Sequence, residues 1–243
     1  MQIVRWQAMI YNTLATYYDD LVKDEQATKA WVDWIEKHKS ACSMLECACG
    51  SGEITHALAK KGYTMSALDI SQQMIDQAKA KDPTISYYCH DMKDLSFLKQ
   101  YDAIACLCDS FNYLWDPEDV TTFFQQVHDH LRPNGIFFFD THALDRLEEF
   151  SQEWNETGEF QDGTKYQWSI ESEDDWIYQD FAFYTKDGLI QEHHLQRVYD
   201  PKWLKQTLAP YFEIESIDTD FDHPGICPGE KYFYVCTRKE TKW

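Results

Sequence analysis

The stretch ECACGSGEITHALAKKG, residues 46–62, joins an apolar run to a helical pattern through a turn that carries Gly50 and Gly52. Glycines at such a turn let the backbone approach a ligand closely, and the following helix presents free N–H groups there. Asp69 closes the next apolar run, YTMSALDI, nineteen residues beyond Gly50 (69 − 50). A carboxylate at that strand end accepts hydrogen bonds from both hydroxyls of a ribose. Asp91 closes a third run, ISYYCHD. Side by side at one sheet edge, the three positions suit a nucleoside, with its tail on the turn, its ribose on Asp69 and its base near Asp91.

The turn reads A-x-G-x-G. This is neither the G-x-G-x-x-G of a dinucleotide fold nor the G-x-x-x-x-G-K-[ST] of a P-loop, and no cation is anchored beside it for phosphates. Ala48 stands where many such loops carry glycine, and an alanine there is expected at negative φ.

The elements that must position these residues follow from periodicity. Trp31, Trp34 and Ile35 predict an amphipathic helix from Lys29 to about Lys39, followed by a strand at Met44–Cys47. Gly62 ends the helix after the turn. Ser71 caps a helix carrying Met74, Ile75 and Ala78, and Asp116-Pro117 opens another with Val120, Phe123, Phe124 and Val127 on its buried face. YDAIACLCD and GIFFFD read as the fourth and fifth strands. Strands alternating with helices imply right-handed crossovers and an α/β, doubly wound parallel sheet. After about Glu149 the pattern becomes antiparallel: KYQWSIES, DWIYQDFAFYT and LIQEHHLQRVY, joined by the turns EDD and KDG. The expected division is 1–150 with 199–243 as the α/β unit, and 151–198 as an antiparallel β insertion.

Composition narrows the partners. With 42 acidic against 22 basic residues, the net charge of −20 repels phosphate backbones and argues against nucleic acid. The C-x-C pairs at Cys47/Cys49 and Cys106/Cys108 lie in apolar runs and lack zinc-ligand spacing, so no metal is expected. Reduced thiols and a start without a long apolar core point to a cytoplasmic protein, off the membrane, as a monomer or homodimer.

LECACGSG, ALDIS, CHDM, YDAIACLCDSFNYL and LRPNGIFFFD, in this order, resemble the motifs of the class I S-adenosylmethionine (SAM)-dependent methyltransferases. LATYYDDL and the tail from EHHLQRVYD onward resemble small bacterial members. The resemblance implies a Rossmann-like seven-stranded sheet of order 3-2-1-4-5-7-6, with strand 7 antiparallel. It also implies SAM as cofactor. Tyr18 would lie over it, and Glu46, with the backbone around Ala48, Gly50 and Gly52, would hold its methionine part. Asp69 and the adjoining Ile70 would take the ribose, Asp91 and Met92 the adenine. Leu107, Asp109 and Ser110 would pass beside the sulfonium.

SAM supplies an activated methyl group, so the protein mainly orients an in-line displacement. If the acceptor needs a base, His142, just beyond strand five, is the first candidate, with His193 or His194 next. Those two alternate, so only one faces inward. Tyr11 could face the sulfonium or substrate, and Arg197 could hold a carboxylate. The [DN]-P-P-[YF] signature of base-amine methyltransferases is absent after strand four, where DSFN stands, which favours a small-molecule acceptor. Two further readings stand beside it: a SAM-binding protein without transferase activity, and a nicotinamide-dependent oxidoreductase.

Overall fold

The computed structural model describes residues 14–22 and 24–240; Tyr11, a candidate substrate contact, lies outside them. The helix at Glu25–His38 (α2) follows the short helix Leu14–Val22 (α1). It starts four residues earlier than its apolar spacing suggests, because Asp24 caps it, accepting from the amides of Gln26 and Ala27 at 2.7 and 3.1 Å. Next come β1 (Ser43–Cys47), α3 (Glu53–Lys60), β2 (Thr64–Asp69), α4 (Gln72–Lys81), β3 (Ser86–Cys89) and β4 (Tyr101–Cys106). α5 (Pro117–His130) and β5 (Leu131–His142) complete the alternating part. Asp116 occupies the cap position of α5, but its side chain makes no cap bond. β5 begins directly after α5, and its register against β4 jumps between Tyr101 and Ala103, so RPNG bulges out between Leu131 and Ile136.

β1 pairs in parallel with β2 and β4, β2 with β3, and β4 with β5. Beyond α6 (Asp145–Glu149) and a second sheet, α7 (Pro201–Leu208), β10 (Phe212–Thr219), β11 (His223–Pro224) and β12 (Lys231–Arg238) return to the first sheet. β12 inserts antiparallel between β5 and β10. The order is β3-β2-β1-β4-β5-β12-β10-β11. It reproduces the expected order and adds an eighth strand, the two-residue edge β11, too short to leave a pattern in the sequence.

Both faces of this sheet are covered, which is why GIFFFD is apolar throughout. Phe137 and Phe139 pack with Phe123, Phe124, Leu204 and Leu208 on one face. Phe138 points to the other, against Trp34, Val235 and Phe233. Burial of each such ring contributes about 1.5–3 kcal/mol.

The second sheet is an antiparallel meander, β6 (Trp154–Glu159), β7 (Lys165–Glu173), β8 (Trp176–Thr185) and β9 (Gly188–Arg197). β6 carries no strand pattern in its sequence, since WNETGE has no apolar alternation. Phe160, Phe181 and Phe183 on this sheet pack against Tyr17, Tyr18 and Leu21 of α1. No helix among the described residues is long and apolar enough to cross a membrane.

Candidate active site

After β1 the backbone enters the left-handed region at every second residue: Ala48 (φ 55), Gly50 (φ 54) and Gly52 (φ 80). The expected negative φ at Ala48 is thus corrected. An alanine Cβ costs about 1–2 kcal/mol there, and its neighbours hold the turn: the Cys49 amide donates to the Leu68 carbonyl, and the Gly52 amide to the Cys49 carbonyl, both at 3.0 Å. The Gly50 amide donates to Asp69 Oδ2 at 2.8 Å, and the Ser71 amide to Asp69 Oδ1 at 2.8 Å. Asp69 is 6% exposed, and its burial raises its pKa against the opposing pull of the Ser71, Gly50 and Ile70 amides.

This turn and the ends of β2, β3 and β4 surround one cavity of about 200 Å³. Ten of the predicted cofactor residues line it: Tyr18, Glu46, Ala48, Gly50, Asp69, Ile70, Asp91, Met92, Leu107 and Ser110. Glu46 points in from the C-terminal end of β1, accepts a hydrogen bond from the Thr55 hydroxyl, and is pushed by burial up to about 7. Burial likewise raises the Tyr18 phenol. Among the described residues, Asp19, Asp24, Glu46, Glu53, Asp69 and Asp91 give the wall six carboxylates, against the single ammonium of Lys93. Lys93 is itself bound to Asp119 at 2.9 Å. A wall of this charge suits a cationic ligand with hydroxyls to donate and opposes a diphosphate.

Comparison with known proteins follows the same line. Residues 44–135 match a family model described as a methyltransferase domain. The putative methyltransferase YqeM of Bacillus subtilis is 29% identical over 96% of this chain and 99% of its own length. A SAM-dependent methyltransferase from Clostridium acetobutylicum superposes with a TM-score of 0.80 at 26% identity, covering 93% of this chain and 98% of its own. Together these matches support a class I SAM-dependent methyltransferase. The sugar N-methyltransferase KedS8 of a Streptoalloteichus species shares the fold, with a TM-score of 0.76 at 20% identity over 94% of each chain. SAM is the methyltransferase's cofactor, and the nicotinamide reading is set aside. The cavity fits SAM by the chemistry of its acceptors: the buried carboxylates of Glu46 and Asp69 face a ligand with an ammonium, a sulfonium and a ribose.

Several predicted residues of the methyltransferase lie elsewhere. Gly52 is the N-cap of α3, and an added Cβ would come within 2.9 Å of the Ala78 Cβ, so it serves helix packing behind the cavity. Asp109 turns away because Cys108 (φ 55) and Asp109 (φ 52) are consecutive left-handed residues. It meets Lys231 of β12 and Gln196 Nε2, at 2.9 Å, while its own amide donates to Asp140 Oδ2 at 2.8 Å. Burial works to raise the Asp109 carboxyl, yet Lys231 and His142 hold it below its ordinary value. Asp140 is pushed by burial up to about 6, despite Lys231.

His142 does not reach the cavity. It is 5% exposed, burial lowers its pKa, and its Nε2–H donates to Gln196 Oε1 at 3.0 Å, so it is a neutral part of the same network. His193 sits on the outer face of the second sheet against Asp180 at 2.5 Å, and His194 is the inward member of the pair. Arg197 is engaged by Asp175 at 2.8 Å and by the Trp115 carbonyl at 2.9 Å, which removes it as a carboxylate clamp.

Cavity residues that the sequence did not single out include Asp19, Trp31, Ser51 and Tyr113. Ser51 donates to Asp19 Oδ1 at 2.6 Å, and Lys81 binds Asp19 at 2.6 Å and Glu53 at 2.5 Å, fastening α1 across the mouth. Tyr17 meets Thr164 Oγ1 at 3.0 Å and donates to Asp162 at 3.0 Å, so α1 bridges both sheets. The β4 loop is stitched to β9. Trp115 Nε1 donates to the Leu195 carbonyl at 2.6 Å, and Asn112 Nδ2 to the Arg197 carbonyl at 2.6 Å.

Proposed function

We propose that the protein transfers the methyl group of SAM to a small-molecule acceptor under the cover of the second sheet and α1. Asp69 accepts from the ribose hydroxyls with the lone pairs left after Gly50 and Ser71. Glu46 takes the ammonium of the methionine part. Asp91 and Met92 lie at the adenine edge, Tyr18 lies over the cofactor, and Leu107 and Ser110 flank the sulfonium. The observation that carries this reading is the convergence of Glu46, Asp69 and Asp91, from three separate strand ends, on one cavity. Relatives named for amino-sugar N-methylation support a small acceptor, as the Streptomyces fradiae dTDP-amino-sugar N,N-dimethyltransferase does. All eight cysteines are free, which supports a reducing, cytoplasmic setting.

Isothermal titration with S-adenosylhomocysteine (SAH) is the test. Wild type binds, and Asp69→Ala weakens binding by about 100-fold or more; equal affinity for both proteins would refute the ribose assignment. Formation of SAH from SAM with a panel of small amines and alcohols tests turnover. Binding of SAM without turnover across a wide panel would leave a SAM-binding protein in place of a transferase.

A further inference from the structure

On the β4 side, Tyr113 lines the cavity three residues beyond Ser110, which flanks the sulfonium if SAM lies as proposed above. Its hydroxyl is 3.0 Å from His194 Nδ1. His194 Nε2 lies 3.8 Å from Glu192 Oε2. Both residues come from the inner face of β9, two positions apart, and are nearly fully buried, at 3% and 6% exposure. The Phe181 ring meets the imidazole edge-on at 5.4 Å and fixes its plane. A carboxylate beside Nε2 favours the proton on that nitrogen, which leaves the Nδ1 lone pair to accept from the Tyr113 hydroxyl. A tyrosine oxygen polarised by imidazole and carboxylate behind it is a proton acceptor aimed into the cavity.

We propose that Tyr113 is the catalytic residue facing the acceptor, and that His194 and Glu192 are positioning residues acting through it. The acceptor is then a nucleophile that sheds a proton, an amine or a hydroxyl. Its lone pair forms the bond to the methyl carbon as the carbon–sulfur bond breaks and that electron pair stays on sulfur. The acceptor's proton passes to the Tyr113 oxygen while the Tyr113 proton passes to His194 Nδ1, and the imidazolium so formed rests beside the Glu192 carboxylate.

The proposal rests on the SAM reading, and its test separates the two. Sinefungin carries an amine in place of the sulfonium methyl, so it reports on groups that face the methyl position, whereas SAH does not. Isothermal titration of both ligands into wild type, Tyr113→Phe, His194→Gln and Glu192→Gln compares them. Tyr113→Phe, which keeps the ring and hence the fold, is expected to leave SAH affinity within about twofold. It should weaken sinefungin about tenfold, the size of one hydrogen bond to a charged group. His194→Gln should give a smaller loss of the same selective kind, and Glu192→Gln a smaller one again. Equal change for both ligands in Tyr113→Phe, or none for either, overturns the role of Tyr113. Failure of wild type to bind SAH overturns the SAM reading beneath it.

Discussion

The Gly50 amide donates to Asp69 Oδ2 across 2.8 Å, so the turn after β1 is braced by the side chain that ends β2. One carboxylate therefore shapes the loop and offers its remaining lone pairs to the ligand. Asp69→Asn separates these tasks. The amide retains a carbonyl oxygen for one backbone partner and places an N–H where the other oxygen accepted. Expected is a loss of SAH affinity of about 10- to 100-fold, smaller than for Asp69→Ala, measured by isothermal titration. A variant with wild-type affinity would show that Asp69 braces the loop and nothing more.

Glu46 ties cofactor affinity to pH. Its carboxyl is raised from 4.5 to about 7 by burial, so the proton is bound more tightly in the folded state. This contribution to stability is complete below pH 4.5 and is lost as pH rises through 7. A bound ammonium favours the carboxylate, so SAH binding should release a proton near neutrality and weaken as pH falls below 7. Titrations in two buffers of different ionisation heat, from pH 6 to 8, measure that release. Glu46→Gln should abolish it. The same variant should raise stability at pH 8 by on the order of 2–3 kcal/mol, a gain that disappears by pH 5.

The two glycines of the turn should respond differently to alanine. At Gly50 an added Cβ meets only Tyr18 Cε1, at 3.9 Å, and the cost is that of a left-handed alanine, about 1 kcal/mol. At Gly52 it meets Ala78 Cβ at 2.9 Å as well, which forces α3 away from α4. Gly52→Ala should cost about 3 kcal/mol in chemical denaturation. Equal losses for the two variants would contradict the packing role given to Gly52.

Lys231 is the cation for the part-buried Asp109 and the fully buried Asp140, the latter at 3.3 Å. Lys231→Met leaves them facing each other without a counterion, and the expected loss is about 3–5 kcal/mol. In a chain of this length that lowers the melting temperature by roughly 6–20 °C. Because Asp140 rises further in the variant, the deficit should shrink toward pH 5. A deficit that does not vary with pH would show that the lysine acts through packing alone.

The parts of the fold legible in the sequence were those set by local periodicity: the alternating elements, the meander at β7–β9, and the strand ends where Glu46, Asp69 and Asp91 meet. Parallel pairing then brings those ends together without further information. What escaped was decided at long range or at single backbone angles. WNETGE forms β6 because β7 offers it an edge, and its own residues carry no strand pattern. Asp109 and His142 were misplaced because two consecutive left-handed residues turn Asp109 toward Lys231, a partner 122 positions away. Tyr113 carried no signal, since its meaning depends on His194 in a different sheet.

The placement of Lys231 in β12 also has a bearing on timing. During synthesis Asp109 and Asp140 emerge long before their cation, and β5 must wait for β12 to slot in between it and β10. The nascent chain therefore holds a nearly finished sheet whose centre stays charged until its closing strand arrives. A chain halted before Lys231 lacks both the cation for Asp109 and Asp140 and the strand that joins β5 to β10.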